Sequence, residues 1–183
     1  DLKVVFSSLH GTALPLTQYL LEALGFNNLT LVDKECEADS DFTHVTSANP
    51  EDTDAFTGAR AIGEDKNADL LIATDPDADR IGIEVLHDGE YVHLNGNQLG
   101  AILLYNRLKN TEFEKTPVVV KSVVTSDLSK KIAEKFGAEI IEVLTGFKYI
   151  GQVALELEED AERKFAFGYE ESYGYLLSDF VRD

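Results

Sequence analysis

Asp75, Asp77 and Asp79, at alternate positions and followed by Arg80, are the residues of this chain best placed to do chemistry. Leu70-Leu71-Ile72-Ala73-Thr74 immediately before them reads as a short buried strand running into a polar, proline-bearing turn. In open α/β sheets, ligands bind beyond the carboxyl ends of strands. Three carboxylates there repel one another unless a positive charge lies between them, and a hard divalent cation with oxygen ligands supplies it. Asp75, Asp77 and Asp79 can grip one face of a Mg²⁺ ion, leaving positions for water and a phosphate oxygen. Arg80 can meet the same phosphate as a forked donor. An EF-hand does not fit, because its glycine position holds Arg80 and its terminal glutamate position holds Leu86. On residue types alone a solvated acidic loop stays open, but the strand before it and the arginine after it favour a site.

Two further stretches hold suitable groups. Thr145-Gly146-Phe147-Lys148 joins a strand end to a helix start, where backbone N–H groups and Lys148 offer an anion site. An ordinary helix start with a surface lysine reads equally well there. Gly168-Tyr169-Glu170-Glu171-Ser172-Tyr173-Gly174 follows a strand and is bounded by glycines. Its carboxylates and hydroxyls suit vicinal sugar hydroxyls, and they also suit a solvated acidic turn. His10 is a conceivable base, though a structural hydrogen bond is the simpler reading. No histidine–cysteine cluster suggests zinc, and no G-x-x-x-x-G-K-S/T loop suggests a P-loop kinase.

These groups must be held by elements that the pattern lays out in order. Strands are predicted at 2–6, 29–32 and 70–74, with helices from Pro15 to Leu24 and from Thr53 to Asn67. Residues 33–50 are polar and weakly periodic, which predicts a surface loop. His87-Asp88-Gly89 between 81–86 and 90–94 signals a hairpin, a short antiparallel edge on a parallel-dominated sheet. In the second half Asn97 is predicted to cap a helix from Gln98 to Leu108, and Thr125 or Ser126 one ending at Phe136. Strands follow at 118–121, 139–143 and 165–168, with a helix over 147–158.

At 183 residues the chain suits one or two such α/β units. No apolar run approaches membrane-spanning length, so no membrane partner is expected. The formal charge of −18 argues against a nucleic-acid partner. The acid is concentrated in residues 1–91, with five basic and nineteen acidic side chains, and is read as a solubility feature. Cys36 is the single cysteine, which excludes an internal disulfide and fits a reducing, cytoplasmic setting.

Asp75-Pro76-Asp77-Ala78-Asp79-Arg80 resembles the metal-binding loop of the α-D-phosphohexomutases, the phosphoglucomutase and phosphomannomutase superfamily. Three other stretches match in order: Leu9-His10-Gly11-Thr12, Thr145-Gly146-Phe147-Lys148 and Gly168–Gly174. Four motifs across nearly the whole chain are specific, and their wording lies closest to the phosphoglucomutase branch that includes phosphopentomutase-like members. The resemblance implies two consecutive three-layer α/β domains with mixed, mostly parallel sheets. Residues 1–93 would form the domain with the metal loop, and residues 94–183 the domain with the sugar loop, short of a final helix. It implies an intramolecular phosphotransferase that interconverts 1-phospho and 6-phospho sugars through a phosphoserine, with Mg²⁺ and with glucose 1,6-bisphosphate as intermediate and activator. The implied roles are Asp75, Asp77 and Asp79 on the metal, Arg80 in catalysis, and Thr145, Gly146, Lys148, Glu170 and Ser172 on the sugar phosphate. The serine, in a Thr-x-Ser-His-Asn-Pro-like loop, and an Arg-x-Ser-Gly-Thr-like phosphate loop are expected in further domains of the same polypeptide. This chain alone would then be inactive. A phosphopentomutase or phosphomannomutase of the same superfamily, or a non-catalytic metal-binding α/β module, are the alternatives.

Overall fold

The apolar runs that end in polar loops become the strands of two separate sheets. A computed structural model describes residues 2–181; Asp1, Arg182 and Asp183, the outermost residues of the predicted domains, lie outside them. The chain divides into two units, Asp1–Leu94 and Asn95–Asp183. No helix among the described residues is long and apolar enough to cross a membrane.

The first unit holds β1 (Val4–Ser7), α1 (Leu14–Ala23), β2 (Leu29–Leu31), α2 (Thr57–Lys66), β3 (Leu70–Thr74), β4 (Ile81–His87) and β5 (Glu90–Leu94). Its sheet runs in the order β2-β1-β3-β4-β5, parallel across β2-β1-β3 and antiparallel beyond. The antiparallel part is no short edge, since β4 alone has seven residues. Asp88 and Gly89 turn the β4–β5 hairpin with φ of 51° and 88°, the left-handed pair that a two-residue loop needs to match strand twist. Val5, Phe56, Ala59, Leu71 and Ala73 close the core between the sheet and α2.

One buried charge ties α2 to this sheet. Glu84 of β4 has a fully buried side chain, paired with both Nε and Nη2 of Arg60 from α2 and with Nδ1 of His93 from β5. Burial opposes its ionisation. The hydrogen bonds from His93 and Arg60, with their charges, outweigh burial and hold the Glu84 carboxyl below its usual range.

The second unit holds α3 (Gly96–Asn110), β6 (Thr116–Ser122), α4 (Leu128–Lys135), β7 (Glu139–Val143), α5 (Phe147–Glu156), β8 (Arg163–Tyr169) and β9 (Tyr175–Leu176). Its sheet order is β7-β6-β8-β9, with only β9 antiparallel. Val118 and Val120 pack with Ile150, Ala154 and Phe165 in one layer, while Val119 packs with Leu104, Leu108 and Phe167 in the other. That alternation buries both faces of the sheet and makes three layers.

Two local readings are corrected. Asn95 caps α3, not Asn97: the Asn95 side chain accepts from the Gln98 amide, and the Gln98 side chain accepts from the Asn95 amide. Only Asn95 stands three residues before Gln98, as a capping box requires. Asn97 Oδ1 instead accepts from the Ser126 amide at 2.8 Å. Residues 33–50 are not simply a surface loop. Glu35 is buried, accepts from Ser7 Oγ at 2.6 Å, and offers its carbonyl to the His10 amide at 2.6 Å. The loop after β1 needs those acceptors, because Leu9 and His10 are both left-handed and lack strand partners.

Candidate functional site

Each motif loop leaves the carboxyl end of a parallel strand: 8–12 after β1, 75–80 after β3, 144–146 after β7 and 170–174 after β8. Each also contains a residue with φ in the left-handed region, namely Leu9 and His10, Ala78, Gly146 and Tyr173. For the non-glycine residues that conformation costs energy and persists only where surrounding contacts impose it, a pattern that concentrates at functional sites.

In the first unit, Asp75, Asp77 and Asp79 present ligand oxygens within 4.8 Å of one another. Among the described residues no other group of three or more metal-binding side chains occurs. Asp75 is buried and holds Arg80 twice, accepting from its amide at 2.9 Å and from Nε at 2.7 Å. Arg80 Nη1 reaches Asn49 Oδ1 at 3.2 Å and Glu51 Oε1 at 3.3 Å. Arg80 is therefore clamped by carboxylates. Its Nη2 has no hydrogen-bond partner among the described residues. Burial works against the Asp75 charge, yet hydrogen bonds from Arg80 and Asp79 and the Arg80 charge hold its carboxyl below the usual range. Asp79 is pushed up to about 6 by burial, by its hydrogen bond with Asp75 and by the charges of Asp75 and Asp77. Crowding thus keeps a proton on Asp79 up to about pH 6, and a bound cation would relieve that repulsion.

The donor set fits a hard divalent cation: three carboxylates and no sulfur or nitrogen donor, with the buried hydroxyl of Thr74, next in sequence to Asp75, lacking a hydrogen-bond partner among the described residues. Leu9-His10-Gly11-Thr12 buttresses this loop. The Thr12 amide and hydroxyl donate to the Pro76 carbonyl at 3.0 and 3.2 Å. A Cβ on Gly11 would lie 2.3 Å from Pro76 Cα, so only glycine lets the two backbones meet. His10 is not a free base. Its Nδ1 meets the Glu37 carbonyl at 2.7 Å and must donate, while Nε2 accepts from the His44 amide at 3.2 Å.

In the second unit the structure brings the two predicted sugar-phosphate loops together. The Gly146 amide donates to Glu170 Oε1 at 2.7 Å. A Cβ on Gly174 would lie 2.9 Å from the Phe147 ring. Glu170 is buried, and its Oε2 has no hydrogen-bond partner among the described residues. Ser172 is half-buried; Thr145 and Lys148 are exposed, with Lys148 Nζ 5.0 Å from the centre of the Tyr149 ring. A third loop, 123–127 after β6, was missed from sequence. Ser122 at the end of β6 and Thr125 in the loop are buried, and both reach Glu171. The buried Lys121 donates to the Thr125 carbonyl at 2.7 Å and pairs with Glu142 at 2.9 Å. The available signal was Lys121-Ser122 directly after Val118-Val119-Val120, an apolar run ending in polar groups like the run before Asp75.

Known proteins match both units of the chain. Residues 1–88 match the family described as phosphoglucomutase/phosphomannomutase, alpha/beta/alpha domain II, and residues 95–183 match its domain III. A phosphoglucomutase of Staphylococcus epidermidis is 50% identical over 184 residues, covering 100% of this chain and 33% of that protein. One of Staphylococcus aureus is 47% identical with the same coverage. The chain thus spans about a third of the length of the curated relatives it matches. Among solved structures, a phosphomannomutase-type protein of Thermus thermophilus shares the fold with a TM-score of 0.81 at 21% identity, over 100% of this chain and 39% of that one. With two matched domains in the family's order and half-identical relatives along its whole length, this chain belongs to the phosphoglucomutase/phosphomannomutase family.

Proposed function

We propose that this chain supplies the metal-binding and sugar-binding loops of a phosphoglucomutase, which moves a phosphoryl group between the 1- and 6-positions of glucose phosphate through glucose 1,6-bisphosphate. The observation that carries the reading is the Asp75–Asp77–Asp79 cluster closed by Arg80 at the end of β3, in a chain half-identical to a phosphoglucomutase. Phosphoryl transfer asks a protein mainly for positioning and charge neutralisation. Mg²⁺ on the three aspartates would supply a positive centre for the charge on the transferring group.

This chain's own residues do the rest. Asp75 fixes the Arg80 guanidinium, so that Nη2 can take a phosphate oxygen without first being ordered. Glu170 accepts a sugar hydroxyl on Oε2 while the Gly146 amide holds Oε1. Ser172 and Lys148 add a hydroxyl and a cation, with Thr145 and Gly146 shaping the loop beside them. The phosphorylated serine and the remaining phosphate contacts belong to further domains of the polypeptide, a phosphoprotein of the cytoplasm.

The complete polypeptide should turn over glucose 1-phosphate in preference to mannose and ribose phosphates. This chain alone, given Mg²⁺ and glucose 1,6-bisphosphate, should show no turnover. Activity of the isolated chain would refute the assignment of the nucleophile to another domain. Glu170→Ala in the complete polypeptide should raise KM for glucose 1-phosphate by roughly tenfold or more, since an acceptor is lost and sugar donors are left unpaired. An unchanged kcat/KM would make Glu170 an architectural residue.

A further inference from the structure

Glu171 lies between the two residues assigned to the sugar, yet its side chain goes elsewhere. Its Oε2 accepts from Thr125 Oγ1 at 2.8 Å and from Ser122 Oγ at 3.1 Å. The two hydroxyl oxygens are themselves 2.6 Å apart, so two protons are shared among three close pairs. Ser122 is 0% and Thr125 3% exposed, so neither hydroxyl has bulk water as a substitute partner. The backbone of the same residue is fixed too: a Cβ on Gly96 would lie 1.8 Å from the Glu171 carbonyl oxygen. The loop closes on itself when the Glu170 amide donates to the Gly174 carbonyl at 3.0 Å, with Tyr173 buried at φ 70°.

We infer that Glu171 is a positioning residue, whose carboxylate anchors the 170–174 loop on the buried Ser122–Thr125 hydroxyl pair and so aims Glu170 and Ser172 at the ligand. The inference rests on the sugar-loop reading above for what those two neighbours bind. The physical reason lies in the local backbone. A left-handed Tyr173 inside a five-residue turn is costly, and a loop held only by its ends would relax. A carboxylate seated on a buried hydroxyl pair at its second residue resists that relaxation. The carboxylate of Glu170, one residue away, then stays within reach of the Gly146 amide. The Gly146 N–H is therefore an internal reporter of where Glu170 stands, readable without any ligand.

The test is amide hydrogen exchange on the ¹⁵N-labelled chain, paired with kinetics of the complete polypeptide. In Glu171→Ala the Gly146 amide should exchange roughly tenfold faster, while Val119 and Val120 in β6 keep their protection. Glu171→Gln retains an acceptor oxygen and should restore the wild-type rate at Gly146. In the complete polypeptide, Glu171→Ala should raise KM for glucose 1-phosphate with a smaller change in kcat, and Glu171→Gln should recover it. Should Glu171→Ala lose the β6 protection as well, Thr125→Val, which removes one donor and leaves the carboxylate, becomes the deciding variant. Its Gly146 exchange should then rise by a few-fold. Unchanged Gly146 exchange in whichever of these variants stays folded would overturn the anchor, as would a Glu171→Gln as impaired as Glu171→Ala. An unchanged KM in Glu170→Ala would overturn the sugar reading instead, whatever the exchange rates at Gly146.

Discussion

Asp77→Asn should lower the Mg²⁺ affinity of this chain by at least roughly 100-fold, since even residues one step removed from a metal typically cost 10–100-fold. Asparagine keeps the size of the side chain and one oxygen donor but removes the charge that a hard cation needs. The substitution is clean, because Asp77 is exposed and makes no hydrogen bond or ion pair among the described residues. The fold should therefore be kept, and without metal the variant should unfold at the same or a slightly higher urea concentration, since one repelling charge is removed. Titration calorimetry at pH 7 reads the affinity directly. Equal Mg²⁺ affinity in the two proteins would reject the site. Asp75→Asn should be worse on both counts, because Asp75 also holds the Arg80 amide and guanidinium from a buried position.

Arg60→Leu should destabilise the first unit by about 3 kcal/mol at pH 7, the low end for stranding a buried charge, because His93 remains to hold Glu84. The pH dependence distinguishes this from lost packing. With Arg60 present, the Glu84 pKa lies below its ordinary value of 4.5. The pair therefore contributes stability above the unfolded pKa and loses it as pH falls through the folded value. Without Arg60, burial pushes the Glu84 carboxyl upward, and protonation relieves the variant before it affects the wild type. The stability gap should be widest near pH 7 and should narrow on acidification toward pH 4.5. Urea denaturation across that range measures it. A gap that stays constant with pH would make Arg60 a packing residue, and a loss under about 1 kcal/mol would place the pair among ordinary surface salt bridges.

The Asp75–Arg80 loop was legible in the sequence because its whole signal is local: an apolar strand, then carboxylates at alternate positions, then an arginine five residues after the first of them. The Asp88-Gly89 hairpin was legible for the same reason, since the turn residues themselves dictate φ. The Gly11–Thr12, Thr145–Lys148 and 168–174 stretches were readable only as a set, in order, because each alone also describes an ordinary loop. Residue types could not tell that Gly11 exists to admit the Pro76 backbone, or that both ring nitrogens of His10 are spent on Glu37 and His44.

What joins distant segments was decided by tertiary structure. Glu171 meets Ser122 and Thr125 across 49 and 46 residues, through the parallel pairing of β6 with β8, and no local pattern encodes that register. Glu84 meets Arg60 across 24 residues, where an antiparallel strand passes over α2. Glu35 sits inside a segment polar enough to read as solvated, yet it is buried because the Ser7 hydroxyl and the His10 amide find their acceptors there. Local chemistry specifies which groups a loop can offer. Only packing, by burying a donor away from water until it must find a protein acceptor, determines which of those groups remain free for a ligand.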